Sequence, residues 1–111
     1  MGLASRQKGK RRERQFRDVL RASGYHKARR GQQFSGESGN PDVVCPEMPK
    51  ILWEVKGGEA CNIYSWLAQA KTDAGVDKLP IVVHKRSLRP WIAYIEVDVL
   101  LEILGRSDLV E

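Results

Sequence analysis

Pro80-Ile81-Val82-Val83-His84 is a continuous apolar run between Leu79 and Lys85, the pattern of a strand in the middle of a sheet rather than at its rim. A second run, Trp91-Ile92-Ala93-Tyr94-Ile95, follows a basic loop from Lys85 to Arg89, and the two read as neighbouring strands. Upstream, Ile51 to Lys56 alternates. Leu52, Glu54 and Lys56 fall on one face and Ile51, Trp53 and Val55 on the other, because successive side chains in a strand point to opposite sides. Asp42-Val43-Val44-Cys45 reads as a short strand joined to it by a turn from Pro46 to Lys50, with a first, basic strand between Tyr25 and Phe34.

Helical spacing accounts for the rest. A helix is expected from about Ser5 to Ser23, with Phe16, Val19 and Leu20 on its apolar side and Gly24 in the left-handed position after its end. A second runs from Ile63 to Ala74, with a stripe of Ile63, Trp66, Leu67, Ala70 and Ala74, Gln69 on its flank and Gly75 closing it. Val97 to Leu104 forms a short third. The expected order is helix, three strands, helix, two strands, helix, an α/β sandwich. With 111 residues the chain has room for one core, so residues 1–111 are expected to be one domain.

Charge narrows the partners. The chain carries a formal net charge of +5 and has a pI near 9.5, with Arg6, Lys8, Lys10, Arg11, Arg12, Arg14 and Arg17 crowding the first helix and Lys27, Arg29 and Arg30 following. Phosphate backbones reward such clustering through counterion release, although basic charge by itself does not separate nucleic acid from an anionic membrane. No stretch approaches the roughly 20 apolar residues of a membrane span, and no apolar signal core opens the chain; no membrane association and a cytoplasmic location are expected. Cys45 and Cys61 stand in different elements without a CxxC spacing, which suggests neither a disulfide framework nor a zinc site.

The chemistry gathers between Asp42 and Lys56. Across the expected hairpin, Asp42 at the start of one strand lies opposite the end of the next, so its carboxylate approaches that of Glu54. Two carboxylates at such range repel unless a cation sits between them, and a hard divalent ion with oxygen ligands answers that need. Magnesium is the first candidate, with manganese as a substitute, held by Asp42, Glu54 and the main-chain oxygen of Val55. Lys56, on the same face as Glu54, would orient or deprotonate an attacking water and steady a pentavalent transition state. Glu13 lies in line with Phe16 and Leu20, so its carboxylate needs a partner, either an arginine or the metal and its water. The bland alternative is that Asp42 caps a turn and Glu54 and Lys56 form an exposed ion-pair row on an edge strand.

Taken together, these residues resemble the PD-(D/E)XK nuclease superfamily, and within it the archaeal and phage-type Holliday-junction resolvases. The likeness runs through Glu13-Arg14-Gln15-Phe16, Gly24-Tyr25, Arg29-Arg30, Pro41-Asp42-Val43-Val44, Trp53-Glu54-Val55-Lys56, the helix bearing Gln69, and Leu79 to Val83. It departs in the stretch from Gly31 to Asn40, which is longer than the archaeal enzymes lead one to expect. The resemblance implies a restriction-endonuclease-like mixed sheet flanked by helices. It further implies a catalytic set of Glu13, Asp42, Glu54 and Lys56, with Gln69 auxiliary and Glu13 joining the metal ligands. Arg11, Arg12, Arg14, Arg29 and Arg30 would hold phosphates, together with a serine of the loop, Ser35 or Ser38.

Lys85 and Arg86 either extend that surface or form a solvated turn. The tryptophans Trp53, Trp66 and Trp91 are expected in the core, and His84 is expected to be a structural histidine. The expected activity is a metal-dependent, structure-selective DNA endonuclease of recombination and repair. Paired nicks at four-way junctions would be made by a homodimer in the cytoplasm, the host's if the chain is phage-encoded. Alternatives are a replication-repair, nicking or flap nuclease with the same site, and an inactive basic DNA-binding module.

Overall fold

The computed structural model describes residues 3–31 and 42–111, with side chains from Gly9 onward. Helix α1 spans Leu3–Ala22, β1 Arg29–Arg30, β2 Val43–Val44, β3 Ile51–Gly57, α2 Ile63–Ala74, β4 Leu79–Lys85, β5 Ile92–Tyr94 and α3 Val97–Gly105. The strands form one mixed sheet in the order β1-β2-β3-β4-β5, flanked by helices. β1 and β2 are antiparallel, as are β2 and β3, with Val43 opposite Trp53. β3 and β4 run parallel over seven residue pairs, from Ile51 opposite Leu79 to Gly57 opposite Lys85, and β5 returns antiparallel along β4. Parallel neighbours require a crossover, which α2 supplies.

The two apolar faces of β3 and β4 explain why both sides are covered. Phe16 and Leu20 of α1 pack with Val43, Val55, Ile81 and Val83, and Ile103 of α3 adds to that layer. On the opposite face Leu52 and Val82 are buried against Ala70 and Ala74 of α2. The small alanine side chains let α2 lie close to the sheet. β4 is a central strand, as its unbroken apolar run predicts, with Ile81, Val82, Val83 and His84 all buried.

The element order matches the sequence expectation, and α2 has the expected bounds. Gly24 follows α1 with φ of 103°, in the left-handed region that glycine occupies without penalty. Four expectations need correction. The strand expected over Asp42 to Cys45 shortens to Val43–Val44, because the Cys45 carbonyl already accepts the Met48 N–H in the turn toward β3. Val19 is 39% exposed, because α1 presents Arg12, Phe16 and Leu20 to the sheet at a spacing of four, and Val19 falls outside that row. The first strand shrinks to Arg29–Arg30, because the chain turns before it, with the Ala28 N–H donating to the Tyr25 carbonyl and the Arg21 guanidinium donating to the Ala28 carbonyl; its expected end at Phe34 lies outside the described residues. Trp91 and Ile95 flank β5 instead of joining it and pack into the α1 layer. The three tryptophans do serve the core: Phe16 meets Trp53 at 5.0 Å and Trp91 at 5.3 Å between ring centroids, and Trp66 packs against the α2 layer.

Candidate active site

The β2–β3 register brings the key carboxylates together. With Val43 opposite Trp53, continuing the register sets Asp42 opposite Glu54, while Val43 and Val55 turn into the α1 layer. Asp42 is 9% exposed and Glu54 5%. One oxygen of Asp42, Oδ2, accepts the Val55 backbone N–H at 2.9 Å, which fixes the carboxylate against β3. The carboxyls of Asp42 and of Asp73 on α2 act on Glu54 and disfavour its ionisation. Burial pushes the Glu54 carboxyl up to about 9, reinforced by the charges of Asp42 and Asp73. An ordinary glutamate carboxyl titrates at about 4.3, so without a cation Glu54 holds a proton at neutral pH. The alternative of an exposed ion-pair row on an edge strand is overturned, since β3 is the third of five strands and Glu54 is buried.

Glu13 reaches the same region from α1. Its side chain is 14% exposed and pairs with the Arg30 guanidinium at 3.1 Å. Burial raises its pKa, the Asp42 charge adds to that, and Arg30 works in the opposite direction. The carboxylate expected to need an arginine or a metal thus has the arginine and still feels Asp42. Arg30 in turn contacts protein, where the sequence suggested a phosphate.

The remaining expected residues divide. Lys56 is half-buried, lies two residues beyond Glu54 on β3 and stands opposite His84 in the register. Arg12 is half-buried and crosses the end of β3 so closely that a Cβ on Gly57 would lie 2.6 Å from its Cγ; its guanidinium is steadied by Gln15 Oε1 at 2.9 Å. Arg11, Arg14 and Arg29 are exposed. Gln69 is exposed and donates to Asp73 Oδ1 at 3.1 Å. Lys85 folds onto the carbonyls of Arg86 and Arg89 and closes its own loop, while Arg86 is exposed. Ser35, Ser38 and Pro41 lie outside the described residues.

His84 is the structural histidine expected of it. It is 2% exposed, with Nε2 at 2.8 Å from the Gly58 carbonyl and Nδ1 at 3.2 Å from the Tyr94 hydroxyl. An Nε2–H tautomer satisfies both contacts. The pair ties the chain leaving Lys56 to β4 and β5. Cys45 is buried and Cys61 exposed, both as free thiols.

The residue missed by sequence reasoning is Asp73. It follows Gln69 by four and Ala70 by three, a spacing that places it on the edge of the buried stripe, so helical periodicity carried a signal.

The donor chemistry fits a hard cation. Asp42 and Glu54 are two buried side chains with oxygen donors, and the Asp42 charge adds to the raised Glu54 pKa. Among the described residues no three His, Cys, Asp or Glu side chains form a closed metal cage. Magnesium commonly uses one or two carboxylates and completes its shell with water, so the pair is a sufficient protein contribution. No helix among the described residues is long and apolar enough to cross a membrane. Comparison with protein-family models, with curated proteins and with solved structures found no match for this chain.

Proposed function

We propose that the chain is a metal-dependent DNA endonuclease of the PD-(D/E)XK type, with Asp42 and Glu54 holding magnesium or manganese and Lys56 acting beside them. The observation that carries this reading is the buried Asp42–Glu54 carboxyl pair on adjacent strands, with a lysine next along the same face. Support also comes from the element order and from a sheet whose parallel β3–β4 pair is bridged by α2, which suit the restriction-endonuclease-like core that the resemblance implies.

When bound, the ion supplies charge neutralisation at a phosphate and a lowered pKa for water. The chain's own residues do the rest. Val55 N–H holds Asp42 in place. Lys56 offers a compact positive charge to a phosphate oxygen and can pass a proton to or from water. Arg12, anchored over Gly57, lies at the same end of β3 and can grip a neighbouring phosphate, while the exposed Arg11, Arg14 and Arg29 add to the basic surface along α1 and β1. A branched substrate cut by paired nicks calls for two such sites, which a homodimer in the cytoplasm provides.

Cleavage of an immobile four-way junction tests the reading, run beside its component duplexes and single strands with magnesium and with EDTA. Paired nicks confined to the junction and dependent on magnesium are expected. Asp42→Asn and Glu54→Gln should each abolish cutting while junction binding persists, since the arginines are untouched. Cutting by both variants at the wild-type rate sinks the site. Equal cutting of linear or flap DNA keeps the nuclease and removes the junction preference, whereas binding without cutting under any metal leaves a DNA-binding module.

A further inference from the structure

The turn between β4 and β5 carries an apolar side chain that the core does not use. Leu88 is 100% exposed, and its φ of 61° makes it the one non-glycine residue among those described with a left-handed backbone. A side chain is penalised there, where glycine is at ease. The turn itself is well tied. The Arg89 N–H donates to the Arg86 carbonyl at 3.2 Å, and the Lys85 ammonium donates to the carbonyls of Arg86 and Arg89. The Ser87 N–H reaches Glu59 Oε1 at 3.4 Å. A fixed apolar tip therefore stands in water between two exposed arginines, Arg86 and Arg89.

β3 and β4 are parallel, so this turn leaves the sheet at the end where Lys56 lies. Lys56 stands opposite His84 and Gly57 opposite Lys85, and the Gly58 N–H donates to the Lys85 carbonyl at 3.1 Å. Arg12 crosses β3 at the same end. From His84 to Leu88 is at most about 13 Å of extended backbone, or about four nucleotide steps along one strand.

We propose that Leu88 is a wedge for DNA, inserted between bases a few nucleotides from the phosphate at Lys56, with Arg86 and Arg89 gripping the backbone on either side. This rests on the reading of the chain as acting on DNA, and adds a basis for its choice of substrate. Apolar wedges enter a duplex by unstacking a base step. The cost is smallest where bases are already unpaired, so a wedge favours a branch point over continuous duplex. The flanking arginines single out nucleic acid, because their forks match phosphate oxygens in pairs. A lone leucine buries far less chain than the single acyl group that already binds membranes only marginally.

Fluorescence of a four-way junction carrying 2-aminopurine beside the branch tests this, titrated in EDTA so that no strand is cut. Anisotropy on the same junction and on its duplex arms runs alongside. Wild type should prefer the junction and raise the fluorescence as the labelled base unstacks. Leu88→Gly should bind the duplex arms as wild type does, since the arginines remain, yet give no rise. Its preference for the junction should fall about tenfold, the order expected for burial of one leucine side chain. Leu88→Met should restore both signals. Glycine suits the left-handed backbone, so Leu88→Gly keeps its fold, which a thermal melt checks. A full rise and an undiminished junction preference in Leu88→Gly overturn the inference alone. Wild type that binds neither junction nor duplex overturns the DNA reading, and the inference falls with it; Leu88-dependent capture by phosphatidylserine vesicles would then assign the turn to a membrane.

Discussion

Burial holds the Glu54 carboxyl against ionisation, and that effect has a sign that stability measurements can read. Its carboxyl is pushed up to about 9 in the folded chain, against about 4.3 for a free glutamate. Between those values the folded state keeps a proton that the unfolded state has lost, so stability contributed by this group is full below the unfolded pKa and falls as pH rises toward 9. Glu13, also raised, acts in the same direction. Melts in EDTA from about pH 5 to about pH 9 should therefore show declining stability, and Glu54→Gln should flatten the decline and raise the melting temperature at the alkaline end. An equally steep decline in the variant would refute the assignment. Asp42 and Glu54 were legible in the sequence because a hairpin's register is set by its pattern of alternation. The Glu13–Arg30 pair and the effect of Asp73 on Glu54 were not, because they join separate elements and depend on how α1 and α2 dock.

Elements place these residues with different firmness. β3 alternates so clearly, and β4 is so evenly apolar, that their strand character and the shared face of Glu54 and Lys56 follow from sequence. β1 is shorter than its sequence suggests because Tyr25 to Ala28 is mixed in character and its turn is held by hydrogen bonds to α1 and to itself, a tertiary matter. The passage of Arg12 over Gly57 was equally invisible, since nothing local to either residue announces it. It makes a sharp prediction: Gly57→Ala forces the Arg12 stem aside and should cost roughly 1–3 kcal/mol, the range of an overpacked contact. In an Arg12→Ala background the same change should cost close to nothing, and a double-mutant cycle in denaturant measures the difference. Additive effects would show that Gly57 is required for some other reason.

For the molecule as a whole, the basic side chains are not equivalent. Arg14 and Arg29 are exposed, whereas Arg30 partners the part-buried Glu13. Replacing Arg14 or Arg29 with alanine should reduce the salt slope of DNA binding by about 0.9 for each phosphate no longer neutralised, while leaving stability unchanged. Arg30→Ala should lower the melting temperature as well, because it leaves Glu13 without its cation. Fluorescence anisotropy across a salt series, paired with melts, separates the two behaviours; identical outcomes at Arg14 and Arg30 would contradict the division. The strand pairing has a further consequence for motion. Glu54 belongs to a ladder of seven residue pairs with β4, while Asp42 precedes a two-residue strand whose partner β1 is equally short. Local openings draw on the weakest cooperative unit, so the amides of Val43 and Val44 should exchange with deuterium well before those of Leu52 to Val55. The two carboxylates would then part and rejoin many times for each global unfolding, and if Asp42 and Glu54 hold a cation as proposed, adding it should slow the exchange of β2 more than that of any other strand.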